Sequence, residues 1–333
     1  MPLQYAGVVA EHNAVRNSVG VFDVSHLGKL RVAGPGSGDA LQNALTADVV
    51  ALDVGRATYS LVLNDDGGCV DDVFVYRIEP GEWMVVPNAA NVEAVAAAIE
   101  RSGGSPTDQW DRWAILAIQG PDSFEAFERV FPGSGAPDLE LHGWRRVELL
   151  DAVGIVARTG YTGERGFELY VPSEVAERVF ALLLDDGVPP VGLGARDTLR
   201  LEMGYALYGH ELTLEINPLE ANLGWALAWH TPFRGRDALR AVKEAGPARR
   251  SFGIRCRGRG VPREGFEVVK GDRPVGFLTS GNFSPTLRCG IGLGLGSVND
   301  VPSIGEAVSV TSRGRSIEGD IVRPPFVDRG KQK

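Results

Sequence analysis

Two stretches of this chain repeat each other at a fixed spacing, and that repeat limits the fold more than any other feature. Val32-Ala33-Gly34-Pro35-Gly36-Ser37 runs into Asp39-Ala40-Leu41-Gln42, and Ile118-Gln119-Gly120-Pro121-Asp122-Ser123 runs into Glu125-Ala126-Phe127-Glu128. Each reads as a short apolar strand, a Gly-Pro stop and a Ser placed to start a helix. Gly81-Glu82-Trp83-Met84-Val85-Val86-Pro87 then matches Gly166-Phe167-Glu168-Leu169-Tyr170-Val171-Pro172. A helix follows each, with Val92, Val95, Ala96 and Ile99 on one face of the first and Val175, Val179, Leu182 and Leu183 on one face of the second. The first pair of motifs is 86 residues apart and the second 85, so register survives the copy. Two related α+β subdomains are the simplest reading.

The rest of the chain has a different texture. Residues 191 to 205 read as a helix with Ala195, Leu199 and Met203 on one side, and Asn217-Pro218 then breaks the chain. Trp225, Leu227 and Trp229 alternate like a strand. Residues 245 to 263 read as a basic loop (Arg249, Arg250, Arg255, Arg257, Arg259, Arg263) suited to an acidic partner protein. From Phe252 onward, short alternating segments split by Gly, Pro, Asn and Asp predict an all-β domain. Much of the large glycine complement of 43 falls there, and glycine at alternate positions from Gly290 to Gly296 permits close backbone approach.

Composition narrows the function. The 333 residues carry a net charge of −9, which disfavours binding to a bare nucleic-acid backbone. Three dispersed cysteines (Cys69, Cys256, Cys289) fit neither a disulfide framework nor a thiolate zinc site, and point to a reducing, cytoplasmic compartment. No apolar run approaches the ~18 residues that span a bilayer, so no membrane role is expected. A Walker-type phosphate loop, a dinucleotide fingerprint and a nucleophile elbow are all missing, and the five histidines never pair at metal-ligand spacing. No metal is expected. The chemistry falls to carboxylates, amides, Tyr and Arg.

Among these, Asp72 stands out. In the strand from Cys69 to Arg77, period 2 places Val70, Asp72, Phe74 and Tyr76 on one face. A carboxylate in those surroundings resists ionisation and suits proton uptake near neutral pH, although bonding to turn amides is an equal alternative. Asp71, on the other face with Arg77, reads as structural. Glu168 and Tyr170 share a face, where a carboxylate could accept two coplanar N–H bonds from a heterocycle or lie solvated. Arg196 opposes the helix dipole near a helix start, at a cost of some tenths of a kcal/mol, so Asp197 or a ligand should compensate it. Asn88 follows a strand end, where a helix N-cap is the simplest role.

Taken together, several blocks resemble one family. Val21 to Gly28, Asn64 to Tyr76, Thr159 to Glu168, Gly192 to Glu202 and Thr279 to Leu287 are similar, in order, to blocks of the glycine cleavage system T-protein family. The resemblance runs from about residue 2 to residue 327. It implies a tetrahydrofolate-dependent aminomethyltransferase. Its donor would be the aminomethyl group on the dihydrolipoyl arm of an acidic, lipoylated H-protein, and its products 5,10-methylenetetrahydrofolate and ammonia. It also implies a cloverleaf of two related α+β domains and a β-barrel around a central folate channel. The expected division is 1–29 with 115–212, 30–114 with 213–246, a barrel over 247–328 and a tail at 329–333. By position, Asp72 would assist attack by the folate nitrogens. Glu168 would bind the pterin and Arg196 the folate, while Tyr59, Tyr76, Asn88 and Tyr205 would line the folate site. The family pattern has a helix and strand ahead of the segment matching Leu3-Gln4-Tyr5, so an open sheet edge is expected in the first domain. A folate-dependent demethylase of the same fold, or a folate-binding iron–sulfur assembly factor, are the alternative readings; Cys256 and Cys289 lack the Cys context of the latter.

Overall fold

A computed structural model describes residues 1–258, 260–312 and 314–329. Along the chain the elements are α1 (Val8–Asn17), β1 (Gly20–Asp23), β2 (Leu30–Ala33), α2 (Ser37–Ala44), β3 (Ala57–Leu63), β4 (Cys69–Glu79), β5 (Glu82–Val86), α3 (Val92–Arg101) and β6 (Pro106–Asp108). The second copy follows as β7 (Trp113–Gln119), α4 (Ser123–Val130), β8 (Trp144–Leu149), β9 (Ala152–Ala157), β10 (Gly166–Pro172) and α5 (Ala176–Asp185). Then come α6 (Leu193–Glu202), α7 (Arg236–Ala245), β11 (Arg249–Cys256), β12 (Glu267–Lys270), β13 (Arg273–Ser284), β14 (Cys289–Ser297), β15 (Ala307–Ser312) and β16 (Arg315–Val322). No described helix is long and apolar enough to cross a membrane.

The repeat is visible in the sheets. One sheet has the order β3-β4-β5-β2-β6 and the other β8-β9-β10-β7-β1, so equivalent strands occupy equivalent places and β1 stands where β6 does. The helices follow the same rule. Leu41 of α2 and Val95 and Ile99 of α3 pack on the outer face of the first sheet with Val73, Val75 and Val85. Phe127 of α4 and Val179 and Leu183 of α5 pack on the second with Leu116, Ile118 and Leu169. Leu182 is exposed instead. The inner faces of the two sheets meet through Phe22, Tyr76, Met84, Ile115 and Tyr170. The result is four layers, helices outside and sheets inside, each apolar face covered by the next.

Ser37 and Ser123 begin their helices but do not cap them. The caps are Gly36 and Asp122, neither with a side-chain cap bond. Ser37 instead donates to the Gly34 and Gly81 carbonyls (2.7 and 3.1 Å) and Ser123 to that of Arg165 (3.1 Å). In both copies the serine therefore ties the helix start to the head of the neighbouring strand, β5 or β10.

Strands β11-β14-β13-β12-β15-β16 form a closed barrel. The alternate glycines of β14 are close-approach positions: a Cβ on Gly296 would lie 2.1 Å from the Val275 carbonyl oxygen, and one on Gly294 2.6 Å from the Phe252 ring. Leu201 of α6 packs against Cys289, Ile291 and Leu293 of β14, so α6 touches both the sheet pair and the barrel.

Two sequence expectations change here. The segment around Trp225 is a 3₁₀ turn at Gly224–Ala226, not a strand; Leu227 and Trp229 pack with Leu61, Leu63 and Leu212, while Trp225 is exposed. The basic stretch is no free loop. Arg249 opens β11 and pairs with Glu220 (2.8 Å), Arg250 donates to the Val301 and Pro302 carbonyls, Arg257 pairs with Asp320, and Arg263 donates to Asn282 (3.1 Å). Arg255 is exposed on the strand, and Arg259 lies outside the described residues. Backbone pairing of β11 into the barrel, which charge content alone does not reveal, decides this.

Candidate active site

A cavity of about 930 Å³ opens where the two sheets, α6 and the barrel meet. Asp72, Tyr59 and Asn88 reach it from the first sheet, Glu168 from the second, Arg196 from α6, and Tyr205 from the segment after α6. Tyr76 does not line it. Its hydroxyl sits behind Glu168, 3.4 Å from Oε2, and accepts a hydrogen bond from Tyr170 at 3.0 Å.

Strand alternation presents the carboxylates. In β4, Asp71, Val73 and Val75 turn toward the helices while Asp72 and Phe74 turn to the cavity. In β10, Glu168 stands between Ala117 of β7 and Ala157 of β9, small neighbours that leave space beside it. The turn ahead of β10 is held by Gln119, which donates to the Thr159 and Phe167 carbonyls (3.1 and 3.3 Å) and accepts from Thr162 (2.8 Å). A Cβ at Gly160 would fall 2.1 Å from that Gln119 oxygen, so the close approach excludes a side chain there.

Each charged group has an electrostatic setting. Burial raises the Asp72 carboxyl above the usual range, while the Asn88 side chain, the Tyr59 hydroxyl and the Arg196 charge act in the opposite sense. Burial likewise raises Glu168, against the Thr159 hydroxyl, Arg196 and the Tyr76 hydroxyl. Thr159 and Tyr76 both bond Glu168 Oε2. Arg196 lies over the Tyr161 ring, 4.5 Å from its centroid.

The compensation expected from Asp197 does not occur. Asp197 accepts from Arg200 (2.7 and 2.9 Å) and from Asn282 of β13 (2.9 Å), which draws it toward the barrel and leaves Arg196 facing the cavity. Asn88 is not a side-chain cap either. Its Nδ2 donates to Asp71 Oδ1 (2.8 Å) and Asp72 Oδ1 (3.0 Å), bridging carboxylates on opposite faces of β4. Asp71 is buried and structural, but its partners are Asn88 and Asn91, not Arg77. Arg77 donates to the Val50 and Leu52 carbonyls.

Further aromatic groups complete the walls. Tyr161 stacks on Tyr205 (5.8 Å between centroids), and Trp225, 70% exposed, stacks on Tyr59 (5.4 Å). His142 packs edge-on to Phe74 (5.5 Å) with a left-handed backbone, φ 63°. Tyr161 lies in the Thr159–Glu168 block and was within reach; Trp225 was marked by a strand period that its 3₁₀ turn does not keep, and His142 sits in an irregular segment with no period to mark it. Among the described residues, no group of three or more His, Cys, Asp or Glu is arranged to hold a metal ion.

Comparison with known proteins accounts for most of the chain. Residues 1–231 match the family model described as the GCVT N-terminal domain, and residues 249–328 match the glycine cleavage T-protein C-terminal barrel domain. A curated aminomethyltransferase of Mycobacterium avium is 46% identical, the match covering 98% of this chain and 90% of that protein. One from Halothermothrix orenii is 39% identical over 98% of this chain and 93% of its own length. The crystal structure of glycine cleavage system aminomethyltransferase T from Bartonella henselae superposes with a TM-score of 0.91 at 31% identity, covering 99% of this chain and 92% of that one.

Proposed function

This chain belongs to the glycine cleavage T-protein family and is an aminomethyltransferase; on that premise we propose that tetrahydrofolate is its one-carbon acceptor and the aminomethylated dihydrolipoyl arm of an H-protein its donor. The observation that carries this reading is the convergence of two buried carboxylates from different sheets, Asp72 and Glu168, on one cavity with Arg196. A volume of about 930 Å³ is ample for a ligand of folate size. A pterin offers adjacent N–H donors, and Glu168, with Oε2 already engaged by Thr159 and Tyr76, is the planar acceptor for them. Arg196 and the aromatic walls suit a partly anionic, conjugated ligand.

Asp72 is the proton-handling group. The methylene carbon forms bonds to two folate nitrogens, which release two protons, while its bonds to the amine and to the dihydrolipoyl sulfur break, so that ammonia and the free thiol leave with one proton each. A carboxylate whose proton affinity is raised by burial can, in its ionised form, take up a proton and stabilise positive charge on the carbon. The Asn88 bond at 3.0 Å orients it. The cytoplasm is the proposed setting, in keeping with three free, buried cysteines.

The direct test supplies aminomethylated H-protein and tetrahydrofolate and follows ammonia and 5,10-methylenetetrahydrofolate. Formation of 5-methyltetrahydrofolate from a methyl donor, with no ammonia from the H-protein, would make the chain a demethylase instead. Glu168→Gln should bind reduced folate about 10- to 100-fold more weakly, the range expected when a charge-assisted acceptor becomes neutral. Equilibrium titration measures this, and unchanged affinity removes Glu168 from the pterin site.

A further inference from the structure

Behind the cavity, on the far face of β4, lies a carboxylate that the proposed mechanism does not use. Asp71 is fully buried. One oxygen accepts from the Asn88 backbone N–H (2.9 Å), and the other from the side-chain amides of Asn88 (2.8 Å) and Asn91 (2.7 Å). The Asn88 Nδ2 then reaches past the strand to Asp72 Oδ1 (3.0 Å) and, more distantly, the Asp72 carbonyl (3.4 Å). One amide thus shares its hydrogens between two carboxylates on opposite sides of a sheet. Were Asn88 to flip, its carbonyl oxygen would face both carboxylates, an arrangement of acceptors against acceptors.

We propose that Asp71 is a positioning residue for the transfer reaction: it locks Asn88 in one amide orientation, so that Asp72 always receives an Asn88 donor bond and its proton affinity is set for turnover. This rests on the reading of Asp72 as the proton acceptor. The groups around the pair are few. Cys69 lies on the same strand and Tyr208 on the segment after α6, both within the field of Asp71. Tyr59 of β3, Tyr161 of the turn before β10, and Arg196 of α6 face Asp72. Burial raises Asp71 itself, and the donors from Asn88 and Asn91 oppose that rise and favour its carboxylate form.

Asp71→Asn replaces two acceptors by one acceptor and one donor, so the three N–H groups around it cannot all be satisfied and Asn88 is released. Losing the Asn88 donor moves the acid limb of the rate profile to higher pH, because Asp72 must be ionised to take up a proton. Loss of a like charge alone would move it lower, so direction separates the two effects. The expected result is a kcat about tenfold lower at neutral pH, with KM for tetrahydrofolate within about twofold, and an upward-shifted acid limb. Asn91→Ala, which removes one donor to Asp71 without touching Asn88 or Asp72, should shift the limb the same way by less and remains informative if Asp71→Asn does not fold. An unmoved or downward-moved limb in either variant, or parallel loss of folate binding and turnover, overturns the proposal. Asp72→Asn is measured alongside: full turnover there overturns the reading of Asp72 itself, whereas an inactive Asp72→Asn with an unshifted Asp71→Asn overturns only the role of Asp71.

Discussion

Asp72→Asn should bind reduced folate within about threefold of the parent chain yet transfer its one-carbon unit about 10²- to 10⁴-fold more slowly. Asparagine has the same shape and can still accept from Asn88 Nδ2 through its carbonyl oxygen, the contact that Asp72 makes at 3.0 Å. It cannot take up a proton or hold a negative charge beside a cationic carbon. In the proposed site, folate binding rests mainly on Glu168, Arg196 and the aromatic walls, which this change leaves alone. Equilibrium titration and single-turnover transfer separate the two quantities. In the parent chain the acid limb should lie above the usual aspartate range, because burial raises Asp72 and only its ionised form accepts a proton. A variant with parental turnover would remove Asp72 from the chemistry.

The second large effect is on stability. Arg16→Ala should cost about 3–5 kcal/mol, because it removes the guanidinium partner of the fully buried Glu202 carboxylate. The Arg16 guanidinium bonds Glu202 (3.0 Å), Glu164 (2.8 Å) and the Thr162 and Leu199 carbonyls (2.7 and 3.1 Å), with side chains 2%, 0% and 7% exposed for Arg16, Glu202 and Glu164. Glu202 also accepts from Ser284 and from the backbone and hydroxyl of Thr286. The network therefore joins α1, the turn before β10, α6 and the turn between β13 and β14. Burial alone would raise Glu202, yet the bonds from His12 and Ser284 and the Arg16 charge outweigh it and hold it down to about 2. A carboxyl lowered on folding contributes stability that is complete above its unfolded value and lost as pH falls toward its folded one. Without Arg16 the folded-state value moves toward the unfolded one, so this carboxyl contributes less, and the variant, with less stability in reserve, should unfold in acid at a higher pH. Urea midpoints at neutral and mildly acidic pH test both statements; a loss below about 1 kcal/mol, the size of a surface pair, would show the network to be dispensable.

Much of the site was legible because it lies on regular elements. Strand alternation puts Asp72 and Glu168 on faces that prove to border one cavity, and Arg196 sits in the first turn of α6, where its charge is at odds with the helix dipole. What pairs with these groups was not legible. Asn88 looks like a cap beside its own helix, and only the fold sets it between Asp71 and Asp72, 17 and 16 residues back along the chain. Asp197 is next to Arg196 in sequence, but the barrel residue Asn282 and the helix neighbour Arg200 claim it. The basic stretch looked available for docking until β11 was seen to be a barrel strand with Arg249 and Arg257 in ion pairs.

By itself the sequence determined the periodic content of this protein: two copies of one α+β unit, a glycine-rich β domain, and which face of each strand carries a carboxylate. Those follow from local geometry, since side-chain direction repeats every two residues in a strand and backbone register survives duplication. The tertiary structure decided which of those faces look at each other. Glu168 and Asp72 share a cavity because the inner faces of the two sheets pack together while α6 and the barrel close the remaining side. It also decided which charges are free. Ion pairs and amide bridges form between groups tens to hundreds of residues apart, and their choice of partner depends on distance and burial in three dimensions, which no spacing along the chain encodes.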